Sequence, residues 1–334
     1  MRVFIIAEVG NIHNGSLDLA RDLARAAASS GVDAVKFQTH IAAAESTLRE
    51  PFRVKAAFCK DKSRYDYWKR MEFSAREWDG LAKFVRKQGV AFLSTPFSEE
   101  AVDVLERVGV PLWKIGSGEV TTIPLLERIL ATKKPIILST GMSSWKEIGR
   151  TVRLIQRKKG VLTLLQCTTQ YPTRPDQIGL NVMLEMKKRF HLPVGLSDHS
   201  GTIFPSLAAV TLGAAVIEVH VVLDKKQLGF DVQSSLTIDE LSTLVRGVRF
   251  IEEMQTHPVD KDRLARELLP LKTMFAKSIV AARDLPTGTS LTRLDVAFKK
   301  PGGGLASEAL PLILGRSLRR SIKKDELVLK KDVR

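Results

Sequence analysis

The chain has 334 residues, 44% of them hydrophobic, with a formal charge of +15 and only two cysteines. That length holds one large domain plus a small one, while the lack of a long apolar run argues against a membrane span. The distant Cys59 and Cys167 offer no disulfide or zinc-ribbon spacing, and the dispersed Lys and Arg, without a helix-turn-helix or RNA-binding signature, argue against nucleic acid and suit an anionic small substrate.

In chain order, eight short apolar runs are expected to be buried strands: Phe4 to Val9, Ala34 to Gln38, Ala91 to Thr95, Leu112 to Ile115, Ile136 to Thr140, Leu162 to Cys167, Val194 to Ser197 and Val216 to His220. The first is soon broken by Glu8 and is too short for a signal peptide, so a cytoplasmic location is expected. Amphipathic stretches alternate with these runs, among them Leu17 to Ser30, Glu77 to Gln88, Glu99 to Val108, Trp145 to Gln156, Phe204 to Gly213 and Asp239 to Met254. The alternation predicts a (β/α)8 TIM barrel over residues 1–256. Residues 41–76 interrupt it with a basic and aromatic connection containing Tyr65, Tyr67 and Trp68, read as a lid or a peripheral helical excursion. A linker at 257–272 and a small β-rich module at 273–334 follow, the module being near the lower size limit for independent folding.

Nearly every strand run ends in polar residues, the pattern of a barrel that carries its chemistry at the C-terminal strand ends. His199 and His220 close the seventh and eighth runs. On neighbouring strands about 4.8 Å apart, two imidazoles can converge on one first-row divalent ion. Lys36 and Lys114, with Ser94, Thr95, Ser117, Ser139 and Ser197 around them, suit a phosphate, helped by backbone donors at Lys114 to Gly118 and Ser139 to Met142. Each serine alone has a simpler role as a helix cap. Glu8, Asp198 and Asp231 are the carboxylates able to move protons beside such an ion, and Glu218 lies near it in sequence. Cys167 reads as a core thiol at a strand end. A lysine Schiff base is the alternative chemistry, which the paired histidines disfavour, and no phosphate-binding glycine motif signals a nucleotide.

The successive fragments IIAEVGNIHNGS, AVKFQTH, FLSTPFS, KIGSGE, PIILSTGM, LLQCTTQYPT, GLSDHSG and LGAAVIEVH resemble the sialic acid synthase family, which condenses phosphoenolpyruvate with an N-acylated amino sugar. The stretch from Ser278 to Asp325 resembles that family's antifreeze-like SAF domain. The resemblance implies a domain-swapped homodimer and a manganese-type ion, with magnesium or cobalt as substitutes, held by His199 and His220. It implies phosphoenolpyruvate contacts at Lys36, Thr95, Lys114, Ser117, Ser139, Thr169 and Ser197. It further implies sugar or proton roles for Glu8, Gln38, Tyr171 and Asp231, and recognition of the N-acyl group by Lys300; Asp198, beside His199, is expected to contact substrate. N-acetylmannosamine is the expected sugar, and a legionaminate, pseudaminate or spore-coat polysaccharide precursor the alternative. Three departures bear on the substrate. Leu228-Gly229-Phe230-Asp231 replaces the family's Pro-Gly-Pro-Asp, Thr169 stands where some members have Asn, and Lys300 replaces an arginine and loses its planar fork. Rival readings are a synthase of a 3-deoxy-2-keto sugar acid phosphate, against which the SAF-like tail argues, and a non-catalytic carbohydrate-binding or assembly protein.

Overall fold

A computed structural model describes residues 2–54 and 56–334. The chain divides into two compact units, Met1–Thr256 and His257–Arg334.

The first unit is the expected barrel. Its parallel strands are β1 (Phe4–Gly10), β2 (Ala34–Thr39), β3 (Ala91–Pro96), β4 (Trp113–Ile115), β5 (Ile136–Ser139), β6 (Leu162–Cys167), β7 (Val194–Asp198) and β8 (Val216–Val222). Each is hydrogen-bonded to its neighbours in the order β3-β2-β1-β8-β7-β6-β5-β4, and β3 and β4 lie side by side at the seam. A short ninth strand, β9 (Ser235–Thr237), adds to β8 from His220 onward. Buried strands of this kind need apolar side chains on both faces, and that requirement made the runs visible in the sequence.

Helices α1 (Leu17–Ser29), α2 (Ala42–Glu45), α3 (Arg64–Met71), α4 (Ala75–Lys87), α5 (Glu99–Val108), α6 (Ile123–Ala131), α7 (Trp145–Arg157), α8 (Leu180–Phe190), α9 (Phe204–Thr211) and α10 (Ile238–Thr256) accompany the strands. Several start where a side chain satisfies the free N–H groups of the first turn: Ser74 with Glu77 and Ser144 with Glu147 form reciprocal capping boxes, and Ser16 and Ser98 cap α1 and α5. The helices α6 and α8, absent from those named in the sequence, have no side-chain cap hydrogen bond. The connection at 41–76 holds α2 and α3.

Inside the barrel, Ile6, Ala34, Leu93, Ile137, Leu165 and Val216 form a buried plug. Side chains along a strand alternate faces, so the residue two positions further on points inward again, one layer higher. Those residues are Glu8, Lys36, Thr95, Ser139, Cys167 and Glu218, and all are buried. The plug therefore forms a dry floor beneath a ring of polar groups.

The second unit opens with α11 (Lys261–Glu267) and α12 (Leu269–Phe275), so the stretch read as a linker is largely helical. Beyond it, β10 (Ser278–Ala281) pairs antiparallel with β11 (Val296–Lys299) over a core of Ile279, Leu285, Leu291, Val296, Leu318, Ile322, Val328 and Val333. This unit is an internal repeat. Leu285 and Ile322 exchange backbone hydrogen bonds of 2.8 and 2.9 Å, Arg283 pairs with Asp295 as Arg320 pairs with Asp332, and Gly288 and Asp325 occupy equivalent turns with φ of 82° and 68°.

Candidate active site

A cavity of about 450 Å³ opens at the C-terminal ends of the barrel strands. Its deep end is a cluster of opposite charges fixed by strand register. Glu8 of β1 lies opposite Lys36 of β2, and Ser197 of β7 opposite Glu218 of β8. Accordingly Lys36 Nζ ion-pairs with Glu8 and donates to Thr95 Oγ1 at 3.1 Å, while Ser197 Oγ donates to Glu218 Oε1 at 3.1 Å. Lys114 Nζ lies 3.4 Å from Glu218 Oε1 and donates to Ser139 Oγ at 2.8 Å. Both lysines and both glutamates are buried.

Burial and pairing pull these groups in different directions. Burial raises Glu8 to about 7 against the opposing pull of Lys36, with Glu218 adding to the rise, so its carboxyl is poised to hold or release a proton near neutrality. Burial also acts on Glu218, but Lys114 and Lys36 outweigh it and keep that group ionised. Burial lowers Lys114 despite Glu218, whereas Glu218 and Glu8 together overcome the burial of Lys36 and raise it.

The two histidines meet, though not from equivalent strand positions. His199 follows the last residue of β7, whereas pairing with β9 carries β8 two residues past His220. Their ring centroids are 5.3 Å apart. His199 Nδ1 donates to the Thr168 carbonyl at 2.9 Å, which leaves Nε2 as the ring's free donor atom toward an ion. Burial lowers the His199 proton affinity, but Cys167 and the Thr168 carbonyl more than offset this and set it at about 9, so a proton competes for that Nε2. Burial, then the neighbouring His199, push His220 well below the ordinary histidine value, and its buried Nδ1 has no hydrogen-bond partner among the described residues. Gly10, at φ +54°, makes room here: a Cβ would lie 3.2 Å from His220 Cε1 and 3.4 Å from Asp231 Oδ2. In their chemistry the His199 Nε2 and the unpartnered His220 Nδ1 suit a first-row divalent ion. No set of three or more His, Cys, Asp or Glu among the described residues is arranged to hold one.

Of the other residues expected at a site, Gln38, Ser117, Thr169, Tyr171 and Asp231 also line the cavity. Tyr171 stacks on His199 with centroids 4.1 Å apart, and the Arg53 guanidinium lies 4.2 Å over the far side of the tyrosine system. Ser117 Oγ accepts from Gly141 N–H at 3.0 Å. Asp198 is a correction: its carboxylate accepts from the Ser200 N–H and hydroxyl at 2.9 and 3.0 Å, and it does not line the cavity, so it shapes the turn that presents His199. Lys300 belongs to the second unit, where its Nζ lies 4.9 Å above the Phe275 ring. Ser94 bonds Thr39 at 2.7 Å within the wall. Cys167 is buried as expected for a core thiol but also lines the cavity, with Sγ 3.9 Å from His199 Nδ1.

Sequence reasoning left out Glu218 as a site residue, although its place between Val216 and His220 on an inward-facing, every-second-residue pattern would have found it. It also missed Asn11, His40, Glu45, Arg53, Arg64 and Phe97, most of which come from the connection after β2 and carry no periodic signal.

Residues 23–260 match the NeuB family and residues 276–334 the SAF domain. The N,N'-diacetyllegionaminic acid synthase of Campylobacter jejuni is 36% identical over 98% of this chain and 99% of that protein. The N-acetylneuraminate-9-phosphate synthase of Mus musculus is 33% identical over 99% and 92% respectively. A solved N-acetylneuraminic acid synthetase from Leptospira borgpetersenii, in complex with citrate, superposes with a TM-score of 0.72 at 30% identity, covering 81% of this chain and 92% of that one. With the family model spanning most of the barrel and relatives aligned over nearly the whole length, the chain belongs to the NeuB family.

Proposed function

We propose that the protein is a nonulosonate synthase: it joins phosphoenolpyruvate to the open-chain aldehyde of an N-acylated amino sugar and, with water, releases phosphate and a nine-carbon 2-keto acid. The single observation that carries this reading is the pair of buried ammonium groups, Lys36 and Lys114, set among hydroxyls at the deep end of a cavity that two buried imidazoles also line. Such a floor favours a compact polyanion, because charge-assisted hydrogen bonds in a site that excludes water offset the cost of burying the lysines.

In this reading Lys36, Lys114, Thr95, Ser117, Ser139 and Ser197 hold the phosphate and carboxylate of phosphoenolpyruvate. Thr169 Oγ1, buried and unpaired among the described residues, is free to join them. Gln38, Tyr171 and Asp231 line the sugar side, and Lys300 is assigned to the N-acyl group. A divalent ion held by His199 and His220, manganese in first place, would supply Lewis-acid polarisation of a carbonyl oxygen. Glu8 handles the proton, since a carboxyl poised near 7 gives and takes one readily at working pH. The bond from C3 of phosphoenolpyruvate to the aldehyde carbon forms first; water then adds at C2, and the C2–O bond breaks so that phosphate leaves with the bridging oxygen. Holding both reactants in one cavity supplies much of the rate enhancement. The swapped homodimer belongs to the same reading.

Phosphate release decides the matter. Phosphoenolpyruvate, manganese and a panel comprising N-acetylmannosamine, its 6-phosphate and a diacetamido sugar should give release with one member and none without sugar. No release with any of them would favour the binding-protein alternative.

A further inference from the structure

Gln38, whose amide donates to the Glu8 carboxyl, is itself held by side chains that the proposed bond-making steps do not involve. His40 follows the end of β2, and its buried ring is stacked between Trp68 of α3, at 4.0 Å and 20°, and Phe97, at 4.6 Å and 7°. Both ring nitrogens face oxygen. Nδ1 lies 2.7 Å from Glu45 Oε1 of α2, and Nε2 lies 3.3 Å from Gln38 Oε1. That same Gln38 oxygen accepts from Asn11 Nδ2 at 3.1 Å, and the Gln38 amide nitrogen donates to Glu8 Oε1 at 3.0 Å.

We propose that His40 is a positioning residue for the condensation: with Asn11 it pins the oxygen of the Gln38 amide, so that the amide N–H is always presented to the Glu8 carboxyl. The assignment rests on the synthase reading above. A primary amide can turn over about its last bond, and turned over, Gln38 would set oxygen against a Glu8 oxygen. With Nε2 of His40 protonated, it and Asn11 Nδ2 place two donors on the oxygen side and oppose that arrangement. The aromatic sandwich holds the imidazole in the plane that reaches Gln38, and Glu45 holds its other edge. Because a neutral amide does not hand a proton along, the line from Glu45 to Glu8 sets orientation and is not a proton path. The connection after β2 thereby acquires a role, since it brings Glu45 and Trp68 to the ring.

Two substitutions separate this role from simple packing. His40→Asn keeps an amide near the Nδ1 position and loses the reach to Gln38, while His40→Gln places an amide near the Nε2 position. His40→Asn should lower kcat about tenfold, the usual worth of one buried hydrogen bond, and leave the KM for phosphoenolpyruvate within about twofold. The side-chain amide protons of Gln38, assigned by their loss in Gln38→Glu and followed by NMR without turnover, should exchange about tenfold faster in His40→Asn. His40→Gln should restore both. Wild-type kcat and exchange in His40→Asn would overturn the proposal, and so would equal loss in the two variants. If the wild type turns over no sugar, the synthase reading fails, while the exchange of the Gln38 amide still decides whether His40 pins it.

Discussion

Glu218 is the carboxylate on which two buried lysines converge, with Lys114 Nζ at 3.4 Å and Lys36 Nζ at 3.8 Å. Neutralising it leaves a net buried positive charge. Glu218→Gln should therefore destabilise the barrel by about 3–5 kcal/mol in urea unfolding, the range for breaking one side of a buried ion pair. Phosphate should recover part of that loss by binding the freed ammonium groups. Gly141 is sensitive for a steric reason: a Cβ there would come within 2.4 Å of Thr169 Oγ1 and 2.9 Å of Ser117 Oγ. Gly141→Ala should cost about 1–3 kcal/mol in denaturant midpoint and raise the KM for phosphoenolpyruvate, with Thr169→Ala relieving the stability loss in the double variant. Were the alanine neutral in both, the close approach around the proposed phosphate cradle would be wrong.

Elements differ in how plainly the sequence announced them. The barrel strands were legible because burial on both faces leaves continuous apolar runs, and α4 and α7 because Trp78, Leu81, Ala82 and Val85, and Ile148, Val152 and Ile155, recur at helical spacing. The helices α6 and α8 bury fewer residues at that spacing, and α2 and α3 are too short for periodicity to declare, although Ser63 and Asp66 form a capping box on α3. The C-terminal repeat was hidden for another reason: outside β10 and β11 its strand pairing is by single bridges, as at Leu285 with Ile322 and Leu318 with Val333. Its shared chemistry is the Arg–Asp pair, and that has a pH signature. Thr292 first, then Arg283, hold Asp295 below the ordinary carboxylate value; burial pushes Asp332 up, but Arg320 and the Leu329 N–H outweigh it and hold it down as well. A carboxyl whose folded pKa is lowered gives stability that is complete above its unfolded value, about 3.9, and is lost as pH falls through the folded value. The urea midpoint of the C-terminal unit, read from the methyl signals of Ile279 and Ile322 in the full chain, should thus fall below about pH 4. The Asp332→Asn variant should show a lower midpoint at pH 7 and a flatter acid limb. An unchanged acid limb in that variant would remove the pair from the account.

At the scale of the whole molecule, the sequence revealed where chemistry could sit more readily than what completes it. Polar strand ends located the cavity, and the two histidines, Lys36 and Lys114 do gather there. Asp198 was misassigned because a carboxylate beside a histidine looks the same in sequence whether it faces the cavity or caps its own turn. The side chains after β2 were missed because their approach to the site depends on tertiary packing. No helix among the described residues is long and apolar enough to cross a membrane. The charge of +15 bears on kinetics. A cationic protein with ammonium groups at the cavity floor draws in a multiply charged anion, so kcat/KM for phosphoenolpyruvate should fall severalfold as salt rises from about 0.05 to about 0.5 M, with kcat changing much less. Equal sensitivity of both constants would point instead to an effect on the chemistry.

In the proposed reaction phosphoenolpyruvate attacks the aldehyde through C3, and phosphate is then released by breaking the C2–O bond. Turnover of phosphoenolpyruvate carrying oxygen-18 in the bridging position, with the products analysed by mass spectrometry, tests this directly. The account predicts that the label leaves in the phosphate and that the new 2-keto acid carries an unlabelled carbonyl from water. Label retained in the keto acid would contradict it.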